Sequence, residues 1–298
     1  MINLSPFRYA RILEEDGGPI AKVEVGRLQC GEKTYYQAGA WLSHRLNLTT
    51  RAPSVFPQPD GCGTHASRML ARHMAISEAL ERWALYTLYQ SGNHKQFALD
   101  IDCTSTGMAA YPGLFRRQTR AHALREAVER YCLANWAVGN LRAKILDDQQ
   151  GFEIQNPLSK HAVVMLWRQF KSGYFSYGFS AARNLDQAVL KAEIEMERLV
   201  LLIKGFYRES VAELDGHQPS ITNHLEQRIM NFSTQAGHEH FLSHLNRSTG
   251  LQVTTGSPPP LIDSHLPGPW DKYTTVWRVL FPMPNQIYDE ARADIFFW

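Results

Sequence analysis

One pattern recurs three times along the chain and narrows what it can fold into. Around Glu78, Glu126 and Glu195 stand an alanine three positions earlier (Ala75, Ala123, Ala192) and a leucine seven positions later (Leu85, Leu133, Leu202). At plus three and plus four come Glu81 and Arg82, then Glu129 and Arg130, then Arg198 and Leu199. Positions i, i+3, i+4 and i+7 share one face of an α-helix. The repeat therefore predicts three helices, each offering a glutamate between a small residue and a leucine. A glycine precedes each helix (Gly63, Gly107, Gly178) and reads as a hinge into it. A single Glu–Arg pair is commonly just a solvated salt bridge. Two copies in matched apolar context, with a diverged third, point to a shared task.

If the three helices converge, Glu78, Glu81, Glu126 and Glu129 meet in a partly apolar setting. Carboxylates so placed raise one another's pKa and call for a compensating cation. Hard oxygen ligands suit magnesium, which keeps waters and shares its sphere with phosphates. Arg82, Arg130 and Arg198 would then grip phosphate oxygens as planar forks. The expectation is a metal–nucleotide site.

The remaining sequence supplies an ordinary scaffold. Of 298 residues, 44% are hydrophobic and 20% charged, enough for a sizeable core. Lys plus Arg (31) nearly balances Asp plus Glu (29), which leaves no electrostatic footprint for nucleic acid or an acidic membrane. The longest aliphatic run, Leu199 to Ile203, is far too short to span a bilayer, and "MINLSPFRYARILEEDGG" has no apolar core of signal-peptide type. Cys30, Cys62, Cys103 and Cys132 show no CxxC spacing and read as free thiols of a cytoplasmic protein.

Residues 21–38 alternate around "CGEK" as a hairpin, and 49–63 form a Pro/Gly loop before the first helix, which runs to about Tyr89. "FALDIDCTSTGMAAYPG" reads as a strand and a glycine-bearing loop leading into the second helix. Two hairpin-like pairs turn at "DDQQG" and "KSG", and the third helix spans roughly Asp186 to Tyr207. Two shorter helices fill 221–247, and "TTVWRVLFP" closes the scaffold as a strand. His240 and His244, i,i+4 on one of those helices, form a candidate metal pair without the HExxH pattern.

"GCG…AISEALERW", "STGMAA…AHALREAVERY" and "GFSAARNLDQAVLKAEIEMER" resemble the three glycine-loop-plus-helix segments of the YcaO family, and "VWRVLFP" is similar to that family's late strand. The match covers roughly residues 55–285. The resemblance implies an α+β fold: a single compact domain with three glycine-loop-plus-helix repeats packed on an antiparallel or mixed sheet. It would divide into an N-terminal hairpin and loop (1–60), a motif-bearing core (61–285) and a tail (286–298). It also implies an enzyme that uses ATP and Mg2+ to phosphorylate a backbone amide oxygen of a ribosomally made precursor peptide, giving an azoline, thioamide or amidine. By position, Glu78, Glu81, Glu126 and Glu129 would bind magnesium, while Arg82, Arg130 and Arg278 would contact phosphates. Ser105 would line the nucleotide, and Glu195 and Arg198 would complete the pocket.

The sequence departs from the family pattern at Met74, where Ser is frequent, and at Arg198, where Gln is frequent. The segment between the first two helices is short, and "DEARADIFFW" lacks a proline-rich tail. These departures keep open a catalytically idle subunit that holds a peptide or a partner enzyme; an unrelated carboxylate-rich ATPase is a third reading. With little chain outside the motifs for capturing peptide, a partner protein, or another subunit of a homo-oligomer, is expected to present the precursor peptide.

Overall fold

The alternating residues near the N-terminus fold as the pattern predicts. In this computed structural model, which describes residues 9–48, 59–102, 104–146, 150–170, 173–212, 224–252, 256–289 and 291–297, β1 (Ile20–Cys30) and β2 (Lys33–Leu42) pair antiparallel around Gly31. Gly31 takes a positive φ of 56° that favours glycine at such a turn. Next come β3 (Gly61–His65), α1 (Arg68–Gln90), β4 (Met108–Ala109) and α2 (Arg116–Ala137). The chain continues through β5 (Ala143–Ile145), β6 (Gly151–Ile154), β7 (Ala162–Gln169), β8 (Phe175–Ala182) and α3 (Leu185–Ala212). It closes with α4 (His224–Ser233), α5 (Gln235–Thr249), β9 (Ile262–His265) and β10 (Trp277–Leu280). The fold is α+β, and all the ladders between these strands are antiparallel.

Contacts divide the chain into two compact units. The first comprises Met1–Arg51, Gln58–Ala127 and Pro259–Phe281; the second comprises Ala52–Pro57, Val128–Pro258 and Pro282–Trp298. The first holds the sheets β1-β2-β3 and β4-β10-β9. Helix α1 buries Ala71, Ala75, Ile76, Ala79 and Leu80 in a core shared with Ala38, Ala40 and Leu42 of β2. In the second unit β5 to β8 form a four-stranded meander in chain order. Ala188, Ala192 and Met196 of α3 pack there on Val164 and Leu166 of β7. An aromatic cluster joins Trp136, Phe152, Tyr177, Phe241 and Phe296, with ring centroids 4.8–6.0 Å apart.

Two of the three expected hinges are something else. Gly63 lies within β3 and Gly178 within β8, each in regular ladder register. A Cβ on Gly61 would stand 2.2 Å from Ala75 O, one on Gly63 2.3 Å from Ala71 O, and one on Gly178 1.9 Å from Ala192 O. The small residues of α1 and α3 thus admit a strand backbone, not a ligand. Gly107 is the loop glycine of the three: it takes φ 65° inside a turn closed by Met108 N–H to Ser105 O.

The strand expected at "FALDID" is absent. A 3-10 helix over Asn93–Phe97 and a left-handed Ala98 (φ 54°) break the extended run. Both hairpin-like pairs form, whereas residues 147–149 and 171–172 of their turns, Cys103 and residues 49–58 of the Pro/Gly loop lie outside the described residues. Cys30, Cys62 and Cys132 are free thiols. Among the described residues, no helix is long and apolar enough to cross a membrane.

Candidate functional site

Three glutamates of the repeat, Glu78, Glu81 and Glu129, are held by backbone N–H groups that no motif search would reveal. In the first unit, Cys62 N–H of β3 donates to Glu78 Oε2 at 3.0 Å. Ala110 N–H, just beyond β4, donates to Glu81 Oε1 at 2.7 Å. Each carboxylate is thereby aimed, with one oxygen committed to the scaffold. Arg82 stands 3.5 Å from Glu78 across one helical turn.

Glu81 carries the strongest electrostatic signature of this group. Burial pushes its pKa well above the ordinary carboxylate range, and the facing charges of Glu126 and Glu78 push it further. The Ala110 N–H and Arg82 offset only part of this. Arg82 is held in its charged form by Glu78, Glu81 and Glu126, against the opposing effect of burial. Glu78 and Glu126 thus lie near enough to Glu81 for their charges to act on it.

The second unit repeats the arrangement. Ala181 N–H of β8 donates to Glu129 Oε2 at 2.7 Å. Burial raises Glu129 to about 7; Arg130 and the Ala181 N–H oppose the rise, while Glu195 adds to it. The Arg130 guanidinium lies 5.0 Å from the Phe179 ring and 5.7 Å from the Phe297 ring. In both units, then, the second glutamate of one repeat reaches the strand segment that opens the next: Glu81 to Ala110, Glu129 to Ala181. The third repeat has Arg198 at that position, and Arg198 instead closes on its own Glu195 at 2.7 and 2.9 Å.

Ser105 is half-buried in the turn that Gly107 permits. Arg278, the third expected phosphate contact, is fully buried, and its two terminal nitrogens donate to Thr104 O (3.1 Å) and Asp102 O (2.9 Å). It thereby braces the residues that lead into Ser105. Sequence reasoning passed over Asp102, which is also fully buried. Its Oδ1 accepts from both the N–H and the hydroxyl of Thr104 (2.8 and 2.6 Å). An Asp two residues before a Thr is the local signal that marks such a turn.

Hard carboxylate oxygens that crowd one another fit magnesium as a donor set. Among the described residues no three His, Cys, Asp or Glu side chains form a ready-made metal cage. That is compatible with this ion, which commonly takes one or two carboxylates and completes its sphere with water and phosphate. For the His240–His244 pair, His244 Nε2 is engaged by Trp136 O at 2.7 Å, and among the described residues no third His, Cys, Asp or Glu joins the two as a metal-binding group.

No family model matches the sequence, and no curated protein matches it. Solved structures do. The chain is similar to YcaO from Methanopyrus kandleri bound with AMPPCP and Mg2+, with a TM-score of 0.57 and 15% identity over 98% of this chain and 94% of that one. It is also similar to the E. coli microcin synthetase McbBCD complex with pro-MccB17 bound, with a TM-score of 0.53 and 12% identity over 87% of each chain. This chain therefore has a YcaO-like fold.

Proposed function

We propose that the chain is a YcaO-type enzyme that uses ATP and magnesium to activate a peptide backbone amide by phosphorylating its oxygen. The observation that carries this reading is Glu81, fixed by Ala110 N–H while crowded by Glu78 and Glu126. Such a group is stabilised when a cation arrives. The YcaO-like fold supports the choice of nucleotide, since the M. kandleri structure holds AMPPCP and Mg2+.

In this reading Glu78, Glu81, Glu126 and Glu129 hold magnesium, which neutralises charge on the transferring phosphate. Arg82 and Arg130 contact phosphate oxygens, Ser105 lines the nucleotide, and Glu195 and Arg198 complete its pocket. Arg278 acts through the loop it braces. The chain's work is positioning and charge neutralisation. A partner presents the peptide; the McbBCD neighbour is itself a complex with pro-MccB17 bound.

Thermal melts with and without Mg-ATP test the site, because a ligand that binds only the folded state raises its stability by mass action. A gain in wild type that is lost in Glu81→Gln supports the reading; an equal gain in both places the nucleotide elsewhere. The closed Glu195–Arg198 pair and the committed Arg278 favour a second reading, an idle subunit that binds nucleotide or peptide without turnover. Peptide-stimulated phosphate release, coupled to a mass change in the peptide, separates the two.

A further inference from the structure

His240, His244 and Arg247 follow one another at i, i+4 and i+7 on α5 and line a cavity of about 350 Å³ in the second unit. Gln286, Arg292 and Asp294 of the tail line it too, and Ala137, Val138 and Ile295 make up its apolar part. The tail is fixed in place by Arg228, which is wholly buried and donates to four main-chain carbonyls, those of Ile287, Asp289, Arg292 and Phe297, at 2.9–3.1 Å. His244 is fixed as well, by Trp136 O. These parts of the lining, the tail backbone and His244, need little ordering on binding.

The charge of the cavity selects its ligand. Arg247 and Arg292 outweigh Asp294. Arg247 donates to the neutral Ser243 Oγ at 3.0 Å, and among the described residues no carboxylate pairs with it. Asp294, half-exposed at the rim, shows what a carboxylate experiences here. Arg292 forks it at 2.5 and 2.7 Å, and these bonds, with the charges of Arg292 and His240, hold its pKa below the usual range. The volume, at the small end for ligand pockets, has room for a side chain with its flanking backbone.

We propose that this cavity binds a carboxylate side chain of an acidic peptide segment, with Arg247 and His240 as the recognising groups. The choice of a peptide over a free acid rests on the peptide-acting function proposed above. The test is fluorescence anisotropy on the full chain without nucleotide, using a short, labelled, terminally blocked Glu-rich peptide and its Gln counterpart. The Glu peptide is expected to bind about tenfold more tightly, the scale of one charge-assisted contact. The double variant Arg247→Gln/His240→Gln should abolish that preference while keeping the wild-type Mg-ATP thermal gain. Equal affinity for the two peptides, binding of neither, a preference that survives the double variant, or displacement by equimolar inorganic phosphate would each overturn the proposal. A clear Glu preference in a protein that gains nothing from Mg-ATP would sink the nucleotide reading and leave this one standing.

Discussion

Glu129 turns a packing choice into a pH response. Its folded pKa of about 7 lies well above the ordinary carboxylate range. A carboxyl shifted in this direction favours the folded state while protonated. Its contribution is fully present below the unfolded value and is lost as pH rises through the folded one. Without ligand, the melting temperature should therefore fall between about pH 5 and pH 8. Glu129→Gln keeps an oxygen to accept from Ala181 N–H but cannot ionise, so it should flatten that part of the profile. Calorimetry on both proteins checks this, and an unchanged slope in the variant would assign the response to another group. Glu81, also shifted upward, adds to the wild-type slope in the same direction. The sequence revealed these acids because helical spacing is a side-chain property. It could not reveal the Cys62, Ala110 and Ala181 N–H groups that aim them, since every non-proline residue carries the same donor.

At the scale of elements, the decisive contact is strand backbone against helix backbone. Gly178→Ala would drive a methyl to 1.9 Å from Ala192 O, and Gly61→Ala to 2.2 Å from Ala75 O. Backbone yields less readily than a side chain, so each should destabilise by about 2–3 kcal/mol or more. Gly26→Ala in β1 meets nothing within 4 Å and should be neutral, within about 0.5 kcal/mol. Urea titrations of the three variants test the contrast, and equal loss in all would mean the two strand–helix contacts relax freely. The same contact explains an error of reading. A glycine before a helix looks alike in sequence whether it bends a loop, as Gly107 does, or lets a strand lie close, as Gly63 and Gly178 do. The helices, the first hairpin and the meander were legible because their hydrophobic periods are sustained. The short β4 and the turn around Asp102 were not, because an αL Ala98 interrupts a stretch that otherwise alternates.

For the molecule as a whole, both units use one solution, an acid steered by a strand and crowded by another acid. Departures from it are concentrated in the third repeat and the tail. The tail depends on Arg228, whose charge is met by four carbonyls, while burial draws its pKa below the usual guanidinium value. Arg228→Met should leave those carbonyls without their donor and destabilise the second unit by about 3 kcal/mol or more. Arg228→Lys, with three donors for four acceptors, should recover only part of this. Proteolysis within 285–297 of the two variants reads the effect directly, and wild-type resistance in Arg228→Met would show that the aromatic packing of Phe296 suffices.

A guanidinium ringed by main-chain oxygens is in effect a tethered cation, and the segment from Ile287 to Phe297 wraps it as a loop chelates a metal ion. Because this ion is covalently attached, it cannot be stripped by a chelator or exchanged by salt. The aromatic end of the segment, and with it the Phe297 ring near Arg130, should therefore stay in place across buffers that would empty a true metal site.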